Sequence, residues 1–516
     1  MATCGDECEV LVIGGGPAGA TAARLLASWG RRVTIVHRPP AAHLTLAESL
    51  PASTRKLLTF LGQLDEVDAA GFYPNTGNLA EWAGQSRATT SPDAGFHVPR
   101  GDFDRVLLDG ARAAGAGVVD ATVRSVKRDD PVLVKAMETD RRAIEWRAQY
   151  VLDCSGRAGV IARRGLRRVS TRYRTLAIVA EWECVDWPVG ERTYTAIESY
   201  ADGWAWSVPL SATRRQCTVM VDKKGSGVVL RNSKKDSRPL FRVYERELAK
   251  TRTLAARLAR ASRMSDPWTC DASLYDCVRA ADGRTLLVGD AASFIEPLSS
   301  AGVKKALVSA WRAAVVTNTC LTNAAMAGPA ADLYIRRERE VYADCWRRSS
   351  AFFAEARAAY GTPFWSVRAD NWPADRGPDK AALHQSESAP ADPEDTSDDT
   401  LWRDTAVHAA FERLRVEDRV RLRPSETLQF ASVPAIDGRQ VVMREAIVVP
   451  GVDSPLQYAA GVDLARLVRI ATRCDDVPGI IEAYQQHVGP VPLAGLLTGL
   501  SLLVARRALV TEDSMS

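Results

Sequence analysis

The chain has 516 residues, 46% of them hydrophobic and 25% charged, with a net charge of +4. That length suits about two to four domains and a large buried core. A charge so close to balance gives no reason to expect nucleic acid or an anionic membrane as a partner. The ten cysteines (Cys4, Cys8, Cys154, Cys184, Cys217, Cys270, Cys277, Cys320, Cys345 and Cys474) form no C-x-x-C and no zinc-type pairing with histidine. Cys4 and Cys8 leave a metal or redox pair open beside two ordinary thiols, but no metal is expected. Scattered cysteines and an N-terminus without a basic segment and cleavage site point to a cytoplasmic protein.

Taken in chain order, the first forty residues read strand, turn, helix, strand. "CEVLVIG" is an apolar run suited to a parallel strand buried on both faces. "AGATAARLLASWG" is a helix closing at Gly30, and "RRVTIVH" is the next strand, giving a βαβ unit. Between 170 and 270, "RTLAIVAEWECV", "RTYTAIESYA", "GWAWSVPLS" and "RQCTVMVDKK" are strand-like and regularly spaced, as in an antiparallel sheet. A helix-rich stretch follows at 237–263, then strand and helix at "RTLLVGDAASFIEPLSSAGVKKALVSAWRAA", then a long amphipathic helix from about Ala331 to Ala358.

Residues 373–399 are rich in Pro, Ser and Asp and nearly free of large apolar side chains, so they read as a flexible linker. Beyond them come a helix ("WRDTAVHAAFERL"), a strand pair ("LRPSETLQFAS", "QVVMREAIVV") and three short helices starting near Asp463, Val477 and Pro492. This pattern suggests a winged-helix-like module. It has no concentrated basic stripe, so docking of protein is expected there and not reading of nucleic acid. The apolar run 488–505 holds prolines and glycines and barely reaches spanning length, so a buried helix is expected and no membrane span.

Gly14-Gly15-Gly16-Pro17-Ala18-Gly19 is G-x-G-x-x-G between a strand and a helix, the context that marks a dinucleotide site. Gly14 permits the turn, Gly16 lets the backbone approach a pyrophosphate, and Gly19 allows close helix–strand packing. Three further stretches resemble the FAD-dependent aromatic hydroxylases and flavin-dependent halogenases. "GRTLLVGDAASFIEP" is similar to their G-D motif, which implies that Gly289 and Asp290 contact the flavin's ribityl chain. "VPRGDFDRVLLDG" resembles their Arg-x-x-Phe-Asp-x-x-Leu segment and places Arg100 over the cofactor; "VLDCSGRAG" resembles their D-A-S-G turn. The resemblance also implies Val123, Ala301 and Gly302 as cofactor contacts, with Ala301-Gly302 where halide and flavin would meet. One departure concerns the second strand, which in this group ends in Glu or Asp but here ends in His37-Arg38. A neutral imidazole can accept one ribose hydrogen bond and so serve FAD; Arg38 pairing with a phosphate instead would suit a different nucleotide, and FAD is the expectation because Asp290 and Arg100 agree on it.

The implied architecture is α/β: a Rossmann-like FAD-binding domain of the para-hydroxybenzoate hydroxylase/halogenase type. The expected limits are 1–165 plus 271–330 for FAD binding and 166–270 for an inserted antiparallel substrate sheet. A helical segment follows at 331–372, the linker at 373–399, and a small α+β module at 400–516.

"GWAWSVP" (203–209) carries the W-x-W-x-x-P of the halogenases. Their relay lysine has no counterpart, since no lysine lies between Leu57 and Val126, and Asn75, Asn78 and Trp82 occupy that neighbourhood. Tryptophan halogenases resemble "EPLESTGI" after the G-D motif, with a catalytic glutamate; here the text is "EPLSSAGV", with Ser299 in that place. "ESLPASTRKLLTFLG", "GNLAEWAG" and the C-terminal module resemble the flavoproteins that hydroxylate a tryptophan of a partner protein during tryptophylquinone biogenesis. The implied activity is FAD-dependent monooxygenation of an aromatic side chain, tryptophan foremost, in a peptide or protein through a flavin C4a-hydroperoxide. O₂ is the co-substrate, and an external flavin reductase or NAD(P)H the reductant. A halogenase with another relay, or a flavin-dependent reductase, is the alternative.

Four catalytic candidates carry two readings each. Trp204 and Trp206 alternate on a strand and wall the chamber or fill the core. Glu296 is a base or a structural carboxylate. Glu48 bonds near the flavin or caps the next helix. His97, three residues before Arg100, reaches the site or is simply buried.

Overall fold

The structure is a computed structural model that describes residues 3–38, 45–169, 172–224, 238–369, 404–416, 420–449 and 455–511. The linker expected at 373–399 lies outside the described residues. Two compact units emerge: Met1–Ala314 with Arg337–Asp375, and Val315–Arg336 with Arg376–Ser516.

The strands of the first unit are β1 (Thr3–Ile13), β2 (Val33–His37), β3 (Ala47–Leu50), β4 (Tyr73–Trp82), β5 (Gln85–Pro99), β6 (Gly117–Lys127), β7 (Val132–Glu138), β8 (Ala143–Asp153), β9 (Arg167–Val169), β10 (Thr175–Glu183), β11 (Tyr194–Tyr200), β12 (Gly203–Pro209), β13 (Arg214–Asp222), β14 (Ser262–Arg263), β15 (Trp268–Asp271), β16 (Tyr275–Cys277), β17 (Ala281–Asp282) and β18 (Thr285–Leu287). Its helices are α1 (Pro17–Ser28), α2 (Ser53–Phe60), α3 (Leu64–Ala69), α4 (Arg100–Ala113), α5 (Arg238–Leu248), α6 (Thr253–Leu258), α7 (Gly302–Thr322), α8 (Ala327–Tyr360) and α9 (Pro363–Ala369), of which α7 and α8 run on into the second unit.

The first sheet has a parallel centre, β2–β1–β8–β18, with β6 parallel to β2. β6, β7 and β8 form an antiparallel meander at its side. Val10, Leu11, Val12 and Ile13 are all buried, as a strand covered on both faces requires. Parallel strands hold their ligands beyond their C-terminal ends, and β1, β2, β8 and β18 all end on that side, at Ile13, His37, Asp153 and Leu287.

The second sheet has nine strands in the order β14-β10-β13-β12-β11-β4-β5-β3, with β15 paired to β10. Strands β10 to β13 match the four runs read between 170 and 270. The sheet also recruits β3, β4 and β5 from the stretch assigned by sequence to the FAD-binding domain. β4 lies parallel to β11, a pairing across more than a hundred residues that no local signal announces. Its two faces do different work. Leu176, Ile178 and Ala180 of β10 pack with Val219 and Val221 of β13 against Tyr244 and Leu248 of α5. Their alternates Ala177 and Met220 face the opposite way, beside Trp82, Trp204 and Trp365.

In the second unit, a helix at Thr405–Val416, a hairpin of Gln429–Asp437 with Gln440–Val448, and helices at Leu464–Ala471, Val477–His487 and Leu493–Ala505 surround one apolar core. Asp463 and Asp476 cap two of those helices through their carboxylates. Among the described residues no helix is long and apolar enough to cross a membrane.

Candidate active site

Gly14 to Gly16 turn the chain from β1 into α1. Gly14 has φ +108°, and a Cβ there would lie 2.4 Å from the carbonyl oxygen of Cys154. No side chain fits. A Cβ on Gly19 would lie 1.9 Å from the Gly14 carbonyl oxygen, which enforces the close helix–strand contact. Gly16 differs: the nearest atom to a Cβ there is Asp104 Oδ2 at 3.5 Å. That is an ordinary contact, so protein packing alone does not demand glycine there. The first turn of α1 has no side-chain cap, so its backbone N–H groups face the opening. The opening is one end of a cavity of about 480 Å³.

Arg100, the first residue of α4, forks onto Asp104 (Nε–Oδ1 2.9 Å, Nη2–Oδ2 3.1 Å) and reaches Glu48 Oε1 on β3 at 3.4 Å. All three line the cavity. Burial raises the pKa of Glu48 and the nearby Asp290 adds to the rise, while Arg100 opposes it. The helix α2 has no side-chain cap, so Glu48 belongs with Arg100 and not with a helix end. Asp290 sits in the short turn Gly289–Ala291 after β18 and also lines the cavity. Buried Lys305 of α7 holds this turn: its Nζ donates to Gly289 O at 3.1 Å and to Ser293 O, and lies 3.7 Å from Asp290 Oδ1. Tyr275 Oη donates to Asp290 O at 2.7 Å.

At the nucleotide end, His37 Nε2 lies 3.0 Å from Asp120 Oδ1, its register partner on β6. The ring's Nδ1 side lies against Gly15, where a Cβ would stand 3.2 Å from it. Arg38 and Val123 line the same end.

At the far end stand Trp206, Met220, Ala177, Pro297 and Ser300. Trp206 stacks on Trp204 with centroids 4.8 Å apart at 27°. A second cavity of about 30 Å³ lies behind them, lined by Ser49, Thr195, Trp204 and Leu298, and it shares the walls Ala47, Glu48, Trp206, Pro297 and Ser300 with the first. No lysine is among the described residues lining either cavity, and Lys56 is exposed on α2.

Of the residues expected from sequence, Gly14, Gly16, Pro17, Ala18, His37, Arg38, Glu48, Arg100, Val123, Trp206, Asp290 and Gly302 line the large cavity, and Trp204 lines the small one. Gly19, Gly289 and Ala301 adjoin the lining without forming it. Glu296 lines neither cavity; it is buried near Arg368 and Tyr173, and burial pushes its pKa up to about 7. His97 is fully buried under the small cavity's wall, bonded to Ser49. Sequence reasoning gave no role to Asp104, the acidic residue of the Arg-x-x-Phe-Asp-x-x-Leu segment, and missed Asp120, Lys305, Ser49 and Thr195. The i,i+4 spacing of Arg100 and Asp104 was visible; the others depend on pairings between distant elements.

The site suits FAD. It joins a helix N-terminus, Arg38 and His37 at one end, a central Arg100–Glu48–Asp290 cluster and an apolar aromatic end. A family model described as an FAD binding domain matches residues 7–322. The tryptophan 2-halogenase of Chondromyces crocatus is 28% identical over 382 residues, 70% of this chain and 71% of that protein. The structure of CmlS, a flavin-dependent halogenase, superposes with a TM-score of 0.74 at 22% identity, covering 99% of this chain and 97% of CmlS. The peptidyl tryptophan dihydroxylase QhpG, essential for tryptophylquinone cofactor biogenesis, gives a TM-score of 0.67 at 22% identity, covering 97% of this chain and 99% of QhpG. The chain belongs to the FAD binding domain family, as a flavin-dependent oxidoreductase of the aromatic monooxygenase and halogenase superfamily.

Proposed function

We propose that this enzyme transfers oxygen, not halogen, to an aromatic side chain, with a tryptophan of a peptide or protein as the substrate. The observation that carries the reading is the lining of the two cavities, which among the described residues holds no lysine. Halogen transfer through such a relay needs an ammonium between flavin and ring, and asparagine is no substitute.

FAD supplies the O₂ chemistry when bound and reduced. The chain's own residues do the rest. Backbone N–H groups of α1 and Arg38 would hold the pyrophosphate, with Gly16 giving it room. Asp290, fixed by Lys305 and Tyr275, would hold the ribityl hydroxyls. Arg100, paired with Asp104 and Glu48, would supply the positive charge beside the cofactor. Trp204 and Trp206 exclude water and set the plane on which an aromatic ring stacks. An external reductase or NAD(P)H delivers the electrons. The second unit assists docking of the substrate protein, and the exposed Phe430 and Met443 on its hairpin suit that role.

The competing reading is a halogenase with a different relay, favoured by the 28% identity to a tryptophan 2-halogenase. Turnover of a tryptophan-containing peptide with a flavin reductase, NADH, O₂ and excess bromide separates the two. Mass spectrometry should show oxygen addition alone; a bromine isotope doublet would sink the proposal.

A further inference from the structure

The small cavity behind the stacked tryptophans has Glu48 and Ser300 on the walls it shares with the large one, and Ser49 and Thr195 on its own wall. His97 Nε2 lies 2.8 Å from the carbonyl oxygen of Thr193. A carbonyl only accepts, so Nε2 carries a hydrogen. His97 is fully buried with the Tyr73 ring stacked on it and the buried Arg215 guanidinium nearby, and burial pushes its pKa down to about 3. The imidazole is therefore neutral, and Nδ1 is a bare acceptor. Ser49 Oγ is 3.0 Å from Nδ1 and must donate its single proton there. Thr195 Oγ1 is 2.5 Å from Ser49 Oγ. Ser49 has no second proton, so Thr195 donates to Ser49. Both residues line the small cavity, and their hydroxyl protons are already committed.

We infer that Ser49 and Thr195 present only lone pairs to the small cavity, so that the aromatic substrate is recognised there by a ring N–H or O–H donor. The donor edge of the ring enters beside Thr195, and the ring plane lies along Trp204 and Trp206. An indole or a phenol satisfies this; an N- or O-methylated ring does not. A halide would also meet lone pairs from these two hydroxyls. His97 is a positioning residue: it acts through Ser49 and sets which way the chain of hydroxyls points. This inference rests on the reading of the small cavity as part of the substrate chamber, but not on whether oxygen or halogen is transferred.

Two measurements test it. Long-range proton–nitrogen NMR on histidine-labelled protein, with His97 assigned by its loss in His97→Gln, should show Nε2 protonated and Nδ1 bare. The reverse assignment overturns the inference outright. Binding to the FAD-loaded protein is then followed by flavin absorbance with two probe pairs, indole against 1-methylindole and phenol against anisole. The donor-bearing member should bind about fivefold tighter in at least one pair, the worth of one hydrogen bond. Thr195→Val should abolish that preference without weakening the methylated probe, and Thr195→Ser should restore it. A preference in the phenol pair alone keeps this inference and removes tryptophan as the substrate. No donor preference in either pair, whether by equal binding or by none, overturns it.

Discussion

Single residues in this protein separate into those the fold demands and those the ligand demands, and the glycine loop shows both. Gly14 is required by the backbone itself: φ +108° and a carbonyl 2.4 Å from any Cβ. Gly14→Ala should therefore lower the melting temperature of the apoprotein. Gly16 meets nothing closer than 3.5 Å, so Gly16→Val should leave apoprotein melting nearly unchanged and weaken FAD binding at least about tenfold by obstructing the pyrophosphate. Flavin fluorescence titration and apoprotein melting check the pair. Equal effects of both variants on melting would contradict this division. The glycines were legible because their spacing is dictated by the phosphate; Asp120, which contacts the His37 ring, was not, because it reaches that ring only through the β2–β6 register. Glu296 is a second case. Its pKa is raised to about 7 by burial, above the ordinary carboxylate value, so the folded state holds the proton more tightly than the unfolded one. Stability from this group is complete below about pH 4.5 and is lost as pH rises through about 7. Glu296→Gln should then stabilise the protein at pH 8 by on the order of 1–3 kcal/mol, with the gain vanishing near pH 5. Urea unfolding at the two pH values reads this directly; a variant less stable at pH 8 would refute it.

The elements carry the site by ending in the right places. β1, β2, β8 and β18 stop on one edge of the first sheet, and the glycine loop, His37, Asp153 and the Gly289 turn follow from those ends. That much could be read from β-rich runs bounded by glycine. The path of β3, β4 and β5 into the substrate sheet could not, since it rests on non-local pairing with β11 and not on local propensity. The same holds for α7. Its sequence reads as an apolar helix, yet it sends Lys305 under the Gly289 turn, where the ammonium satisfies two backbone carbonyls. Lys305→Met keeps the length of the side chain and leaves those carbonyls without it. FAD affinity should fall about tenfold, with a lower melting temperature of the holoprotein. Unchanged flavin affinity would show that the turn holds itself. A buried carboxylate supports the far side of the substrate sheet. Buried Glu198 of β11 accepts the backbone N–H groups of Arg252, Thr253 and Leu254 at the start of α6. Glu198→Ala should cost about 1–2 kcal/mol, as the loss of a helix cap does, without altering flavin binding.

At the scale of the whole molecule, most residues expected from the flavin motifs line one cavity, and no lysine is among its described lining residues. The cofactor residues come together from β1, β2, α4, the Gly289 turn and α7, and the cavity they enclose runs up to Trp206. The W-x-W stretch borders both cavities: Trp206 lines the large one and the small one, and Trp204 the small one. The chain is related to halogenases by descent, and its chemistry turns on what reaches the ring. With no lysine among the described lining residues, the account predicts that the atom delivered comes from O₂ itself. Turnover of a tryptophan-containing peptide under ¹⁸O₂, in the presence of bromide, tests this most directly. The predicted product carries ¹⁸O on the indole and no bromine; a brominated product, or one whose new oxygen comes from water, would contradict the account.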